Sequence, residues 1–156
     1  LIDIALLTPL TRLQRLDIDN WNKDPLDLSG LTTLTLVETN TPSVSQLPTS
    51  VVECKLKLRS DFDFSPFTNL TSMTLTVQPD TKVTVPTWLK KLCLTERLPC
   101  NSNISNVALE TFQLSDCPIT LDVLEKLPIT LKKIYGTLVP LSLQENLREL
   151  FPLLEI

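Results

Sequence analysis

The sequence predicts a β-rich solenoid of the α/β class. Its core is a curved parallel sheet of about 8 short strands, with returns mostly 3₁₀ or extended and short helices in the last two repeats. Three observations predict it. Apolar residues recur in the spacing L-x-x-L-x-L. The recurrence steps along the chain by 18 to 22 residues. The composition suits thin stacked layers, with 42% hydrophobic residues but only 5% aromatic, two glycines against twelve prolines, and no histidine.

The copies open at Leu13 (with Leu16 and Ile18), Leu31 (Leu34, Leu36), Val51 (Cys54, Leu56) and Leu70 (Met73, Leu75). They continue at Leu89 (Leu92, Leu94), Leu109 (Phe112, Leu114) and Leu131 (Ile134, Gly136), and an eighth opens at Leu153 with Ile156. Over seven full copies 20 of 21 key positions are apolar, and only Gly136 departs. The interleaved second, third and fifth positions are apolar at only 3 of 21, namely Val52, Cys93 and Tyr135. Side chains alternate faces along a strand, so the fourth and sixth positions of each copy point inward and the third and fifth outward. One copy cannot cover its own apolar face, and stacked copies can.

Between strands, a phrase recurs before the opening residue: Leu47-Pro48-Thr49-Ser50, Val85-Pro86-Thr87-Trp88 and Leu127-Pro128-Ile129-Thr130. Proline fixes φ and stops any preceding helix. A second phrase, Ser65-Pro66-Phe67-Thr68-Asn69-Leu70, alternates with it and has relatives at 6–10 and 26–31. The middle returns leave room only for 3₁₀ turns or extended chain. In the longer last copies, Leu121, Leu124 and Leu127 follow a helical spacing behind Thr120 or Asp122, and Ser142 to Glu145 forms a capping box. Neither end of the sequence carries a polar cap. The chain therefore reads as a single solenoid over 1–156, cut from a longer array, with end-to-end self-association through the uncapped ends as one consequence.

The unit Leu109-x-x-Phe112-x-Leu114-x-x-Cys117 resembles the leucine-rich repeat family, and the resemblance covers nearly the whole chain. The Leu-Pro-x-Ser/Thr phrase is similar to variants in protist proteins, the FNIP-type and Entamoeba-type arrays, and to the Leu-Pro-x repeats of bacterial effector ligases. The Ser-Pro-Phe-Thr-Asn-Leu phrase is similar to internalin repeats. The family resemblance implies a scaffold that binds proteins. It also implies a ladder of Asn or Cys at the ninth position, hydrogen-bonded to neighbouring turns. Only Cys117 fits, against Trp21, Thr39, Arg59, Gln78, Arg97 and Val139, so variable returns are expected.

The residue types set the function classes. Without histidine the commonest general base and metal ligand is missing. No P-loop, G-x-G-x-x-G or C-x-x-C occurs. No catalytic residue, metal ligand or cofactor is expected, and carboxylates such as Asp17 and Asp19 read as solvated surface. A net charge of −4 argues against nucleic acid, and no apolar run reaches the roughly 20 residues of a membrane helix. The four cysteines, Cys54, Cys93, Cys100 and Cys117, read as free thiols, which favours the cytoplasm over the extracellular alternative. Cys100 and Cys117 lie in adjacent copies. The acceptor patterns Asn69-Leu70-Thr71 and Asn103-Ile104-Ser105 read as accidental.

The expected function is a non-enzymatic scaffold that grips a protein partner through its concave strand face. The alternatives are an extracellular, receptor-like recognition domain and a substrate-recognition segment attached to a catalytic domain elsewhere. The candidate binding residues are Arg15, Asp17, Thr33, Thr35, Glu53, Lys55, Lys57, Thr74, Lys91, Cys93, Gln113, Lys133 and Tyr135. The seventh positions, Asp19, Val37, Lys57, Thr76, Thr95, Ser115 and Thr137, form a third outward column. Lys55, Lys57, Lys91, Lys133 and Tyr135 are the expected anchors, because cationic and aromatic groups dominate binding hot spots.

Overall fold

A computed structural model describes residues 7, 9–19, 26–39, 44–96, 104–136, 143, 147 and 149–154. Seven strands form one parallel sheet: β1 (Arg15–Ile18), β3 (Leu36–Thr39), β5 (Glu53–Leu58), β7 (Ser72–Val77), β9 (Lys91–Leu94), β10 (Thr111–Leu114) and β11 (Lys133–Gly136), adjacent in that order. Each strand pairs with the strand of the next turn, as a solenoid requires. The expected eighth strand does not appear at Leu153 and Leu154, and Glu155 and Ile156 lie outside the described residues.

One hydrogen-bond motif repeats at every joint. The carbonyl of the second position accepts the N–H groups of the second and third positions of the next turn. Gln14 O receives Thr35 and Leu36 at 2.9 and 3.0 Å, and Thr35 O receives Val52 and Glu53 at 2.8 and 3.1 Å. Val52, Thr71, Lys90 and Glu110 continue the series, the last receiving Lys132 and Lys133 at 2.9 and 3.0 Å. This motif shows that the second turn opens at Leu34 and not at Leu31. Leu36 pairs with the outward Arg15 and Glu53, and Val37 pairs with the inward Leu16 and Cys54.

The physical reason for the correction lies in the return. Asp27 accepts the Ser29 N–H at 2.9 Å, as Asp63 accepts the Ser65 N–H at 2.9 Å. These matching turns align Leu28, Leu31 and Leu34 with Phe64, Phe67 and Leu70. In both, the middle residue donates its N–H to the carbonyl of the first, and the opening residue donates to the carbonyl of the middle one, at 3.0–3.1 Å. Leu31 is therefore a return residue of the core, as Phe67 is, and Val37 and Thr39 become the inward strand residues, each 1% exposed. Leu36 is left half-buried on the other face.

The core is one continuous cluster running through every turn from Leu16 to Phe151. It includes the inward strand residues, and Leu58 and Val77 extend it at the ends of the two longest strands. Phe62, Phe64 and Phe67 cluster in one return, with ring centroids 4.5 to 6.3 Å apart. Each fully buried side chain of this size contributes roughly 1.5–3 kcal/mol. Gly136 leaves no gap at its key position. A Cβ there would lie 2.6 Å from Cδ1 of Ile119, a fully buried residue that reaches in from the previous return.

The described parts of the returns are mostly single turns and short strand pairs. The opening residue closes each proline turn by donating to the proline carbonyl: Val51 to Pro48 at 3.2 Å, Leu89 to Pro86 at 3.2 Å and Leu131 to Pro128 at 3.3 Å. Two strand pairs that the periodicity did not predict join neighbouring returns, β2 (Leu26–Asp27) with β4 (Val44–Gln46) and β6 (Phe62–Asp63) with β8 (Val83–Thr84). Only α1 (Leu121–Leu124) forms in the sixth return. Its N-cap is Thr120, which makes no side-chain cap bond. The expected helical stripe is shortened: Leu124 and Leu127 are buried, while Leu121 is 45% exposed. Leu143, Leu147, Glu149 and Leu150 are helical in the last copy, and the capping-box residues Ser142, Gln144 and Glu145 lie outside the described residues.

A polar ladder runs one residue before four of the openings. The Thr33 hydroxyl donates to Leu13 O at 2.9 Å, Ser50 to Leu34 O at 2.6 Å and Thr130 to Leu109 O at 2.8 Å. Asn69 Nδ2 donates to Thr49 O at 3.1 Å. The final Ser/Thr of the Leu-Pro-x-Ser/Thr phrase thus ties its turn to the one before it at Ser50 and at Thr130. Trp88 occupies the same place in the fifth turn, and its buried Nε1 has no hydrogen-bond partner among the described residues.

Two predictions follow from the register and the ladder. Val37→Asp should abolish cooperative unfolding, since it buries an unpaired charge, whereas Leu36→Thr should change stability by less than about 1 kcal/mol. Urea titration followed by circular dichroism checks this, and a frame opening at Leu31 requires the reverse order. Ser50→Ala and Thr130→Val should each lower stability by about 1 kcal/mol in the same titration, the net value of one part-buried hydrogen bond.

Candidate functional site

The strands lay out the outward columns by register. The third positions run Arg15, Leu36, Glu53, Ser72, Lys91, Thr111, Lys133, and the fifth run Asp17, Glu38, Lys55, Thr74, Cys93, Gln113, Tyr135. Lys57 pairs with Thr76 beyond them. Eleven of the thirteen expected face residues therefore share one sheet face: Arg15, Asp17, Glu53, Lys55, Lys57, Thr74, Lys91, Cys93, Gln113, Lys133 and Tyr135.

Thr33 and Thr35 do not belong to these columns. The shifted second turn places them before the strand. There Thr33 takes part in the ladder, and the Thr35 hydroxyl donates to Gln14 O at 3.0 Å. Val37 leaves the seventh column for the core. Leu36 and Glu38 take the vacated outward places, and sequence reasoning missed both. The signal was present in the match of Asp27-Leu28-Ser29-Gly30-Leu31 with Asp63-Phe64-Ser65-Pro66-Phe67, which sets the opening at Leu34.

Glu38 organises the first half of the face. Its carboxylate accepts a hydrogen bond from Lys55 Nζ and lies 3.7 Å from the Arg15 guanidinium. The Lys55 bond, followed by the fields of Lys55 and Arg15, holds Glu38 below the ordinary glutamate value. Glu38 in turn raises Lys55, with smaller contributions from the fields of Asp17 and Asp19. Lys55 is thus already engaged within the fold. A second triad flanks the face at the other end, where Glu110 lies 3.0 Å from Lys90 and 3.1 Å from Lys132. Hydrogen bonds from Lys90 and then Lys132 hold Glu110 below its ordinary value.

Between the triads the face is hydroxyl-rich, with Lys91 as its cation. The Thr76 and Thr95 hydroxyls meet at 2.6 Å, and Gln113 Nε2 reaches Ser115 Oγ at 3.5 Å. Cys93 points outward yet is only 8% exposed, because Thr74 and Gln113 flank its small side chain on both sides. Cys54 is fully buried on the inward side, and burial pushes its thiol pKa well up. Cys54, Cys93 and Cys117 are free thiols, and Cys100 lies outside the described residues. Tyr135, 51% exposed on β11, is the large apolar side chain of the outward columns most open to solvent.

Asn69 is committed to the ladder through its side-chain nitrogen, the atom a glycan would need. Asn103 lies outside the described residues. Among the described residues no group of three or more His, Cys, Asp or Glu side chains is placed to hold a metal. No described helix is long and apolar enough to cross a membrane.

The carboxylate triads set a pH dependence. A depressed folded-state pKa contributes stability above the ordinary glutamate value of 4.5, and the contribution is lost as pH falls through the lower folded values. Both side chains are part-exposed, at 26% and 39%, so the contribution is small and screened. The double variant Glu38→Gln, Glu110→Gln should therefore lose less melting temperature than the unsubstituted protein between neutral and acidic pH. The difference should vanish in about 1 M salt. Thermal melts over a pH series at low and high salt check it.

No family model, curated protein or solved structure matches this chain.

Proposed function

We propose that the chain is a non-enzymatic scaffold that grips a protein partner through the outward face of its seven-stranded sheet. One observation carries this. The face is uneven along the sheet in a way the fold does not require. From β1 to β5 its columns mix Arg15, Lys55 and Lys57 with Asp17, Glu38 and Glu53. From β7 to β11 they hold Lys91, Lys133 and Tyr135 among Ser, Thr, Cys and Gln, with no acidic residue. A chain of net charge −4 therefore presents a cationic, hydroxyl-rich half-face with one exposed ring. Such a surface selects and orients an acidic partner surface.

The resemblance to leucine-rich repeats supports the same conclusion, since stacked-repeat proteins commonly bind along the strand side. A cytoplasmic setting fits the three free thiols and the engagement of Asn69. Anchors are expected at Lys91, Lys133 and Tyr135, with Lys55 contributing less because Glu38 already holds it.

A photo-crosslinking residue placed at Tyr135 or Lys91 tests the face against one placed at Thr68 or Asp122, exposed positions in the returns. Face positions should yield discrete adducts in cell extract, and Lys91→Glu should reduce those from Tyr135 severalfold. Equal adducts from face and return positions would refute the assignment.

A further inference from the structure

At the C-terminal ends of β5, β7 and β9 lies a polar cleft of about 260 Å³. Lys57, Arg59, Thr76, Gln78 and Glu96 contribute its polar lining. Its geometry is anchored. Lys57 and Arg59 flank Leu58, which is 3% exposed in the core, so alternation directs both away from it. The Gln78 N–H donates to Leu58 O at 3.2 Å and ties the two strand ends together. The Thr76–Thr95 hydroxyl pair fixes the side of the cleft next to the strand face.

Its charges are uncommitted. Glu38 and Glu110 each bind two cations, but none of Lys57, Arg59 and Glu96 takes part in an ion pair among the described residues. Two cations and one carboxylate thus line one recess with no ion pair between them. A ligand that satisfies all three carries one negative charge and one hydrogen-bond donor. A dianion such as phosphate satisfies the cations but meets Glu96 with like charge. The volume lies below the roughly 300–1,000 Å³ of small-molecule pockets, so it suits a single side chain. An acidic residue in an extended segment meets the requirement, with its carboxylate facing the guanidinium and its own backbone N–H facing Glu96.

We propose that this cleft is a subsite for one Asp or Glu side chain of a partner polypeptide. Arg59 and Lys57 receive the carboxylate, and Glu96 accepts the adjoining backbone N–H. The subsite rests on the strand face being the partner surface, which it joins through Lys57 and Thr76.

The test uses nitrogen-15-labelled protein and three pentapeptides: a doubly capped Ala-Ala-Glu-Ala-Ala, its Gln analogue, and an N-acetylated penta-alanine with a free carboxyl end. The Glu peptide should shift the Arg59 side-chain N–H and the Gln78 and Glu96 amides saturably. The Gln peptide should bind at least about tenfold more weakly. Arg59→Gln should abolish the shifts, while Lys126→Gln, a surface control, should leave them intact. Glu96→Gln should let inorganic phosphate into a cleft that otherwise rejects it. Equal response to the Gln peptide, preference for the free carboxyl end, or no shift at these residues would overturn the subsite. Crosslinking from Tyr135 reports on the face itself, so adducts that persist in Arg59→Gln without a peptide response would remove the cleft alone.

Discussion

The structure depends on one shared acceptor per turn. The second-position carbonyl takes two N–H groups from the next turn, at all six joints of the seven-stranded sheet. That contact fixes the register of each new strand before any side chain is considered, and it does not depend on how long the return is. Returns of different length and shape can therefore lie between strands that remain in step. With the openings at Leu13, Leu34 and Val51, the first two steps are 21 and 17 residues, yet β1, β3 and β5 stay in continuous register. The backbone ladder absorbs the irregularity, and the leucine layers follow it.

Most of the fold was legible because a half-buried strand writes its alternation into the sequence. Six of the seven openings stand where the spacing puts them. The second turn was not legible from spacing, because Leu31-Leu34-Leu36 and Leu34-Val37-Thr39 compete over the same stretch. The first frame is richer in leucine. The second wins because Asp27 and Ser29 build the same turn as Asp63 and Ser65, and that turn needs Leu31 for itself. Gly136 shows the converse. The exception was plain in the sequence, but Ile119, which occupies the space beside it, sits at a return position with no periodic signature.

The polar features divide in the same way. Outward columns follow from alternation, so most of the face could be written down in advance. Which of those groups already have partners could not, since ion pairing depends on which turns are neighbours in register. Glu38 came to lie between Arg15 and Lys55 only through the shifted frame, and it withdraws Lys55 from the set of open cations. The ladder of Thr33, Ser50, Asn69 and Thr130 was visible as a phrase without a role. Its role appears only when the carbonyl of the preceding turn is seen at hydrogen-bonding distance.

The internal pairing decides what charge a partner meets. The part-exposed carboxylates Glu38 and Glu110 are each held by two cations of neighbouring turns, so little of their charge projects from the sheet. The groups along and beside the face that no such pair holds include Lys57, Arg59 and Lys91. An acidic chain thus turns a cationic side to one direction. At physiological salt the Debye length is about 8 Å, on the order of two strand spacings, so a partner feels the strands it covers and not the overall charge. The local imbalance between the mixed half at β1–β5 and the cationic half at β7–β11 then outweighs the net −4 in setting which way an acidic segment lies along the sheet.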